Sequence, residues 1–336
     1  QAEDGIRDCL RGLVGSEMCI RDSATLGSMA TPSVDVRGVW KRYGQTDVVS
    51  DLSFDVQPGE VLGFLGPNGS GKTTTMRMIL DIERPASGEI DVFGQPPGVE
   101  HQDRVGYLPE DRGLYRDVKI IDTLTYFGAL RGMSRKVAHD KAMALLTEME
   151  LADAAQKKAA ELSRGMHQKA QLIATILNDP ELLIIDEPFQ GLDPVNADML
   201  KGVVLDQKER GAAVIMSTHD MGDAQSLCDR ILLIDKGRRL LYGTVDQVRD
   251  AFSDGAVQVS GKGLPETQGQ LGSVTDVHEV DGAMRYLIRE DATPQDLFRE
   301  LASSGAEVEQ FAVQAPSLDE IFIRTVAGDP RAEAVR

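Results

Sequence analysis

The chain has 336 residues and a formal charge of −18, enough length for a full-sized core and a second, smaller domain. So acidic a balance excludes a protein whose main work is coating nucleic acid, because neutralising phosphates needs a net basic face. The apolar share of 41% is that of an ordinary globular chain, and no run approaches the roughly 18 apolar residues of a membrane span, so a membrane role calls for a separate partner chain.

Residues 1–28 differ from the rest. They lack the basic start and apolar core of a secretory signal, and Ser16-Glu17-Met18-Cys19-Ile20-Arg21-Asp22-Ser23 resembles translated adapter sequence. They are read as a non-native or disordered tail, with Met29 as the expected start. The three cysteines Cys9, Cys19 and Cys228 show neither metal spacing nor an even disulfide framework, which points to a reducing compartment.

Alternating apolar residues predict strands over 34–40 and 52–56, and Gln57-Pro58-Gly59-Glu60 turns the chain into an apolar strand over 61–65. Next comes Gly66-Pro67-Asn68-Gly69-Ser70-Gly71-Lys72-Thr73, which opens through Thr74 into a helix reaching Leu80. Taken alone, this is a glycine-rich turn with an incidental lysine. Strand before and helix after make it a nucleotide-binding loop. Glycines let the backbone curl so that N–H groups face a polyphosphate, and the helix adds its positive end. Lys72 then reaches the β- and γ-phosphates, and the Thr73 hydroxyl is placed to ligate Mg²⁺.

Further on, 87–94 reads as a strand and 123–160 as helical. Apolar strands at 182–185, 213–216 and 231–234 alternate with helical stretches, the α/β pattern of a central sheet. Beyond about Gln247 come short strands over 257–260, 274–280, 284–288 and 307–313 and helices over 294–302 and 317–326. These predict a small α+β unit, set off by the glycine-rich 254–263. The strand at 182–185 ends in Asp186-Glu187. A strand that merely ends in a polar turn is common, but paired with the upstream loop Asp186 is placed to hold Mg²⁺ directly or through water, and Glu187 to orient and deprotonate the attacking water.

At these residues the chain resembles the ATP-binding-cassette (ABC) ATPases. The resemblance covers about 34–250 and implies an α/β P-loop NTPase of the ABC type, over 29–250, with an antiparallel β subdomain and a helical subdomain at about 110–175. A small C-terminal α+β accessory domain is expected over 255–328. Leu162-Ser163-Arg164-Gly165-Met166-His167-Gln168 is similar to the family signature, usually Leu-Ser-Gly-Gly-Gln. Ser163, Arg164 and Gly165 would therefore face ATP bound to a second subunit. In plain chemistry Ser163 stands where a helix N-cap would, and a helix N-terminus is an anion site. Gly191-Leu192-Asp193-Pro194 resembles the D-loop, giving Asp193 a coupling role, and Ser217-Thr218-His219-Asp220 resembles the switch segment, sending His219 to the γ-phosphate. Tyr43 falls where the family stacks an aromatic ring on adenine, with Trp40 as the competing candidate. At the Q-loop position stands Glu110 where glutamine is usual; a glutamate still ligates Mg²⁺.

Glu110, Arg164, Met166 and the C-terminal Pro316-Ser317-Leu318-Asp319-Glu320-Ile321-Phe322 make the chain similar to the ATPase subunits of prokaryotic efflux systems for sodium, drugs or antibiotics. This implies an ATPase using ATP and Mg²⁺, with Glu187, His219 and Lys72 as catalytic residues and the glycine loop from Gly66 to Thr74 as the ATP cradle. The implied partners are a second copy or homologous ATPase subunit, packed head to tail, and a membrane permease; no nucleic acid is expected. The implied location is cytoplasmic, on the inner face of the membrane. The alternatives are a non-transport ABC ATPase or a nucleotide-gated regulatory module whose C-terminal domain binds a ligand.

Overall fold

The computed structural model describes residues 31–335 except 111, 112, 254, 281, 290, 314 and 315; the tail 1–28, Met29, Cys9 and Cys19 lie outside the described residues. β1 (Val34–Tyr43) and β2 (Thr46–Val56) form a hairpin in which Tyr43 lies opposite Thr46, and Gly44 at φ +59° makes the turn. There follow β3 (Val61–Leu65), α1 (Lys72–Ile79), β4 (Ser87–Val92) and β5 (Val105–Leu108). β4 returns to pair with β1, completing a three-stranded antiparallel sheet ordered β2-β1-β4.

The helical stretch expected over 123–160 is two helices, α2 (Ile120–Leu130) and α3 (Arg135–Glu148), joined by a third, α4 (Arg164–Ile176), in one lobe. Gly132 at φ +86° breaks the run, and the Ser134 hydroxyl caps α3 by accepting from Val137 N at 3.3 Å. Past α3 the chain runs in 3-10 turns to Glu161.

β6 (Leu182–Asp186), α5 (Pro194–Glu209), β7 (Ala213–Thr218), α6 (Met221–Leu227), β8 (Arg230–Asp235), β9 (Arg238–Thr244) and α7 (Val245–Ala251) complete the larger part. The central sheet runs β5-β6-β7-β3-β8-β9, parallel except for β9. Its inner strands are unbroken apolar runs because both faces are covered. Leu62, Phe64, Leu182, Ile184, Ile215 and Leu232 pack under the three-stranded sheet, where Phe54 meets Phe64 edge to face at 5.0 Å. Their neighbours Val61, Leu65, Leu183, Ile185, Met216 and Leu233 face the helices. This period of two locks the register, since a one-residue slip would exchange the two cores.

β10 (Ala256–Lys262), β11 (Val274–Val280), β12 (Ala283–Ile288), α8 (Pro294–Ser304) and β13 (Glu307–Val313) form an antiparallel sheet ordered β11-β12-β10-β13 backed by one helix. Its core centres on Val257, Val259, Tyr286, Leu297 and Leu301. The glycine-rich 254–263 is therefore not a linker: residues 256–262 are an inner strand, and Gly261 is required because a Cβ there would lie 2.0 Å from the Glu307 carbonyl. The last helix, α9 (Leu318–Val326), leaves this unit. Leu318 and Ile321, with Ala332 in the closing turn Pro330–Val335, are buried in the larger core beside α6 and α7.

Candidate active site

β3 and β6 flank β7 as parallel neighbours, which brings the glycine loop, Asp186-Glu187 and Ser217 to one edge of the sheet. The loop's glycines are fixed by close approach as much as by curvature. A Cβ on Gly66 would lie 2.2 Å from the Ile234 carbonyl, and one on Gly71 2.8 Å from the Val48 carbonyl; Gly71 also takes φ +109° as it starts α1. Lys72 is buried and donates to the carbonyls of Gly66 at 2.7 Å and Pro67 at 3.3 Å. Burial pulls its pKa below the ordinary lysine value, against the opposing charges of Glu187, Asp186 and Glu110. The buried Ser70 hydroxyl has no hydrogen-bond partner among the described residues, a group whose desolvation calls for one.

Asp186 is held at both carboxylate oxygens. Thr73 Oγ1 donates to Oδ2 at 2.9 Å, and the Ser217 hydroxyl donates to Oδ1 in a short bond. Glu187 takes φ +50°, uncommon for a residue with a Cβ, and its N–H donates to the Ser217 carbonyl at 3.2 Å and Oγ at 3.0 Å. That turn re-aims the chain after the strand. Glu187 Oε2 lies 2.9 Å from His219 Nδ1, a pairing that puts the proton on Nδ1, since a carboxylate only accepts. Oε1 is buried with no hydrogen-bond partner among the described residues. The result is a cleft of about 260 Å³ lined by Asn68, Lys72, Thr73, Glu110, Asp186 and Glu187 among others.

The remaining expected residues lie elsewhere. Tyr43 sits at the hairpin tip, 46% exposed, with its hydroxyl on the Glu83 carboxylate and Lys41 Nζ 5.1 Å above the ring. Trp40 is half-buried opposite Ser87 of β4. Neither lines the cleft, although Val48, farther along the same hairpin, does. Ser163 is exposed at the N-cap of α4 and accepts from Met166 N at 3.3 Å. Arg164 reaches across to the Gln190 carbonyl at 2.7 Å. Asp193, exposed as well, caps α5 by accepting from Asn196 N at 3.0 Å; Asn196's side-chain and backbone hydrogen bonds hold its pKa below the usual carboxylate value. So the structure gathers the glycine loop, Glu110, Asp186, Glu187 and His219, and leaves Tyr43, Ser163, Arg164, Gly165 and Asp193 outside the cleft lining.

Ser217 is the polar residue that sequence reading did not single out as part of the site. Its signal is a polar side chain at the tip of an apolar strand, but its contact with Asp186 depends on β7 lying beside β6, which residue order alone does not state.

A glycine loop between a parallel strand and a helix, with a carboxylate at the tip of a nearby strand, defines the P-loop nucleotide-hydrolysing class. Known proteins narrow it. The family described as ABC transporter matches residues 49–190, and a family described as the C-terminal domain of DrrA1-3-like ATP-binding proteins matches 243–326. An uncharacterised ABC transporter ATP-binding protein of Bacillus subtilis, YhaQ, is 36% identical over 289 residues, 86% of this chain and 96% of that one. A Nod factor export ATP-binding protein I of Burkholderia lata is 32% identical over 300 residues, 88% of this chain and 97% of its own. A solved ATP-binding subunit of an ABC transporter superposes with TM-score 0.62 at 31% identity, covering 66% of this chain and 93% of that one.

The chain belongs to the ABC transporter ATP-binding proteins. It is an ATP-binding, ATP-hydrolysing subunit of the kind that works with membrane permease components. Among the described residues no helix is long and apolar enough to cross a membrane.

Proposed function

We propose that the chain powers export through a separate permease by closing head to tail on a second ATPase subunit, identical or homologous, at the cytoplasmic face of the membrane. The observation that carries this reading is the division of the motifs. Lys72, Thr73, Asp186 and Glu187 share one cleft, whereas Ser163 and Asp193 stand exposed on helix N-termini outside it. An exposed helix start is a ready anion site; here the γ-phosphate would come from ATP seated on the partner. Export is supported by the name of the Burkholderia relative. A groove of about 320 Å³ between β5 and the helical lobe, walled by Tyr107, Leu108, Phe127, Leu130 and Arg131, supports docking of a permease next to Glu110.

Within each half-site Lys72 turns from its own loop carbonyls to the β- and γ-phosphates, and Tyr43 stacks on adenine. The Thr73 hydroxyl and Asp186 carboxylate, already 2.9 Å apart, would hold an Mg²⁺ ion, which takes few protein oxygens, and Glu110 lines the same cleft. When bound, the ion neutralises charge on the phosphate oxygens. Glu187 accepts the proton of the attacking water through Oε1 while His219 holds Oε2 and orients the carboxylate.

Glu187→Gln tests the assignment. Turnover should fall by about 10²- to 10⁴-fold, the range general base catalysis supplies, with ATP binding kept and an ATP-bound dimer accumulating in light scattering. Hydrolysis at the normal rate would sink the reading.

A further inference from the structure

α6 has only seven residues and starts two positions after His219, capped by Asp220, whose carboxylate accepts from Asp223 N at 3.0 Å. So short a helix has little stability of its own, so its direction is set by what it packs on. Beneath it lie β3 and β7, on one flank Lys201 of α5 pairs with Asp223 at 2.5 Å, and against it lies α9. Met221, Ala224 and Leu227 of α6 are buried in the same core as Leu318 and Ile321 of α9. The wall next to the switch histidine is thus supplied from a hundred residues farther along the chain.

The chain between α7 and α9 is the small domain, and its two ends are tied together where Arg249 Nε donates to the Pro316 carbonyl at 3.3 Å. Beside that tie lies an open cavity of about 330 Å³ lined by Gln225 of α6, Arg249 of α7, Gln258 of β10, Arg285 of β12, and Ser317 and Glu320 at the start of α9.

We propose that α9 is a positioning element for ATP turnover: Leu318 and Ile321, acting through α6, hold His219 against Glu187. This rests on the roles given above to Glu187 and His219. Loss of the Ile321 side chain lets α6 settle by a fraction of an ångström, and misplacing a group that orients a base is costly in rate.

A double-mutant cycle on the full chain tests it. Ile321→Ala should lower single-turnover hydrolysis about tenfold, and the same substitution in a His219→Ala background should cost nothing more, because both act through one contact. Ile321→Val should restore most of the rate, and Ile323→Ala, at an exposed position on α9, should leave it unchanged. With ¹⁵N-labelled histidine, the ring signals of His219 should shift in Ile321→Ala while those of His101, His139 and His278 stay. If Ile321→Ala does not fold, Ile321→Val should show the same shift on a smaller scale. Equal losses in both backgrounds, or an unmoved His219 signal, would overturn the proposal. A wild-type chain that fails to hydrolyse ATP with its partner ATPase subunit present would instead refute the functional reading, and the His219 signal would still decide this one.

Discussion

α1 and α4 both begin with backbone N–H groups that no helical carbonyl can satisfy, yet only the first is closed in by its own chain. At α1 the cap is Gly71, Lys72 is buried, and Asp186 and Glu187 stand across the cleft. At α4 the cap is an exposed serine that satisfies its own helix, with Arg164 turned aside to the Gln190 carbonyl. A helix start surrounded by buried opposing charge is a binding site in one subunit. The capped start of α4 is, on the reading proposed above, half of one, completed by a second subunit.

Mutations should separate the two ends. Lys72→Ala ought to have the largest effect, removing nucleotide binding together with turnover, the latter by about 10³-fold or more as for other cations placed on a transferring phosphoryl group. Ser163→Ala should leave ATP binding by the lone subunit intact and lower turnover by about 10- to 150-fold, the equivalent of losing a charged hydrogen bond of roughly 1.5–3 kcal/mol. Its cost in thermal stability should be only about 1 kcal/mol, that of a lost N-cap. If Ser163→Ala instead weakened ATP binding to the isolated subunit, the contrast between α1 and α4 would collapse. A smaller effect is expected at the hairpin tip: Tyr43→Ala should raise KM for ATP about threefold to tenfold through lost stacking, and Tyr43→Phe should not.

Proton linkage gives the finest test. Burial holds the Lys72 pKa below the lysine norm, and a bound polyphosphate raises it again. Between those two values the complex carries more protons than the free protein, so ATP binding takes up protons and weakens as pH rises through the free-state pKa. Calorimetry in buffers of different ionisation heat should find this proton uptake as pH rises through the free-state pKa. No comparable uptake should survive in Lys72→Ala.

Strands buried on both faces, such as 61–65 and 182–186, are legible because each is a continuous apolar run, the first running into the glycine loop and the second ending at Asp186. β5 and β9 are not. β5 is four residues long and contains Gly106, where a Cβ would lie 2.7 Å from the Thr175 carbonyl, and β9 opens with Arg238 and Arg239 at the sheet edge. The glycine loop and Asp186-Glu187 are legible as local motifs, but the hold of Ser217 on Asp186 is not, because it depends on which strands are neighbours. The helix over 318–326 is legible from its spacing, but its burial against α6 rather than the nearby sheet is tertiary information, carried by no local pattern.

That last packing also orders events during synthesis. A ribosome releases the chain from its N-terminus, so the glycine loop, Asp186-Glu187 and His219 all emerge before Leu318, Ile321 and Ala332, which close the core around α6. Until then the nascent protein displays every nucleotide motif beside an open apolar seam, a surface for chaperones and proteases. A message cut short before codon 318 would encode a chain with its ATP motifs present and its core unsealed, one the cell should degrade rather than assemble.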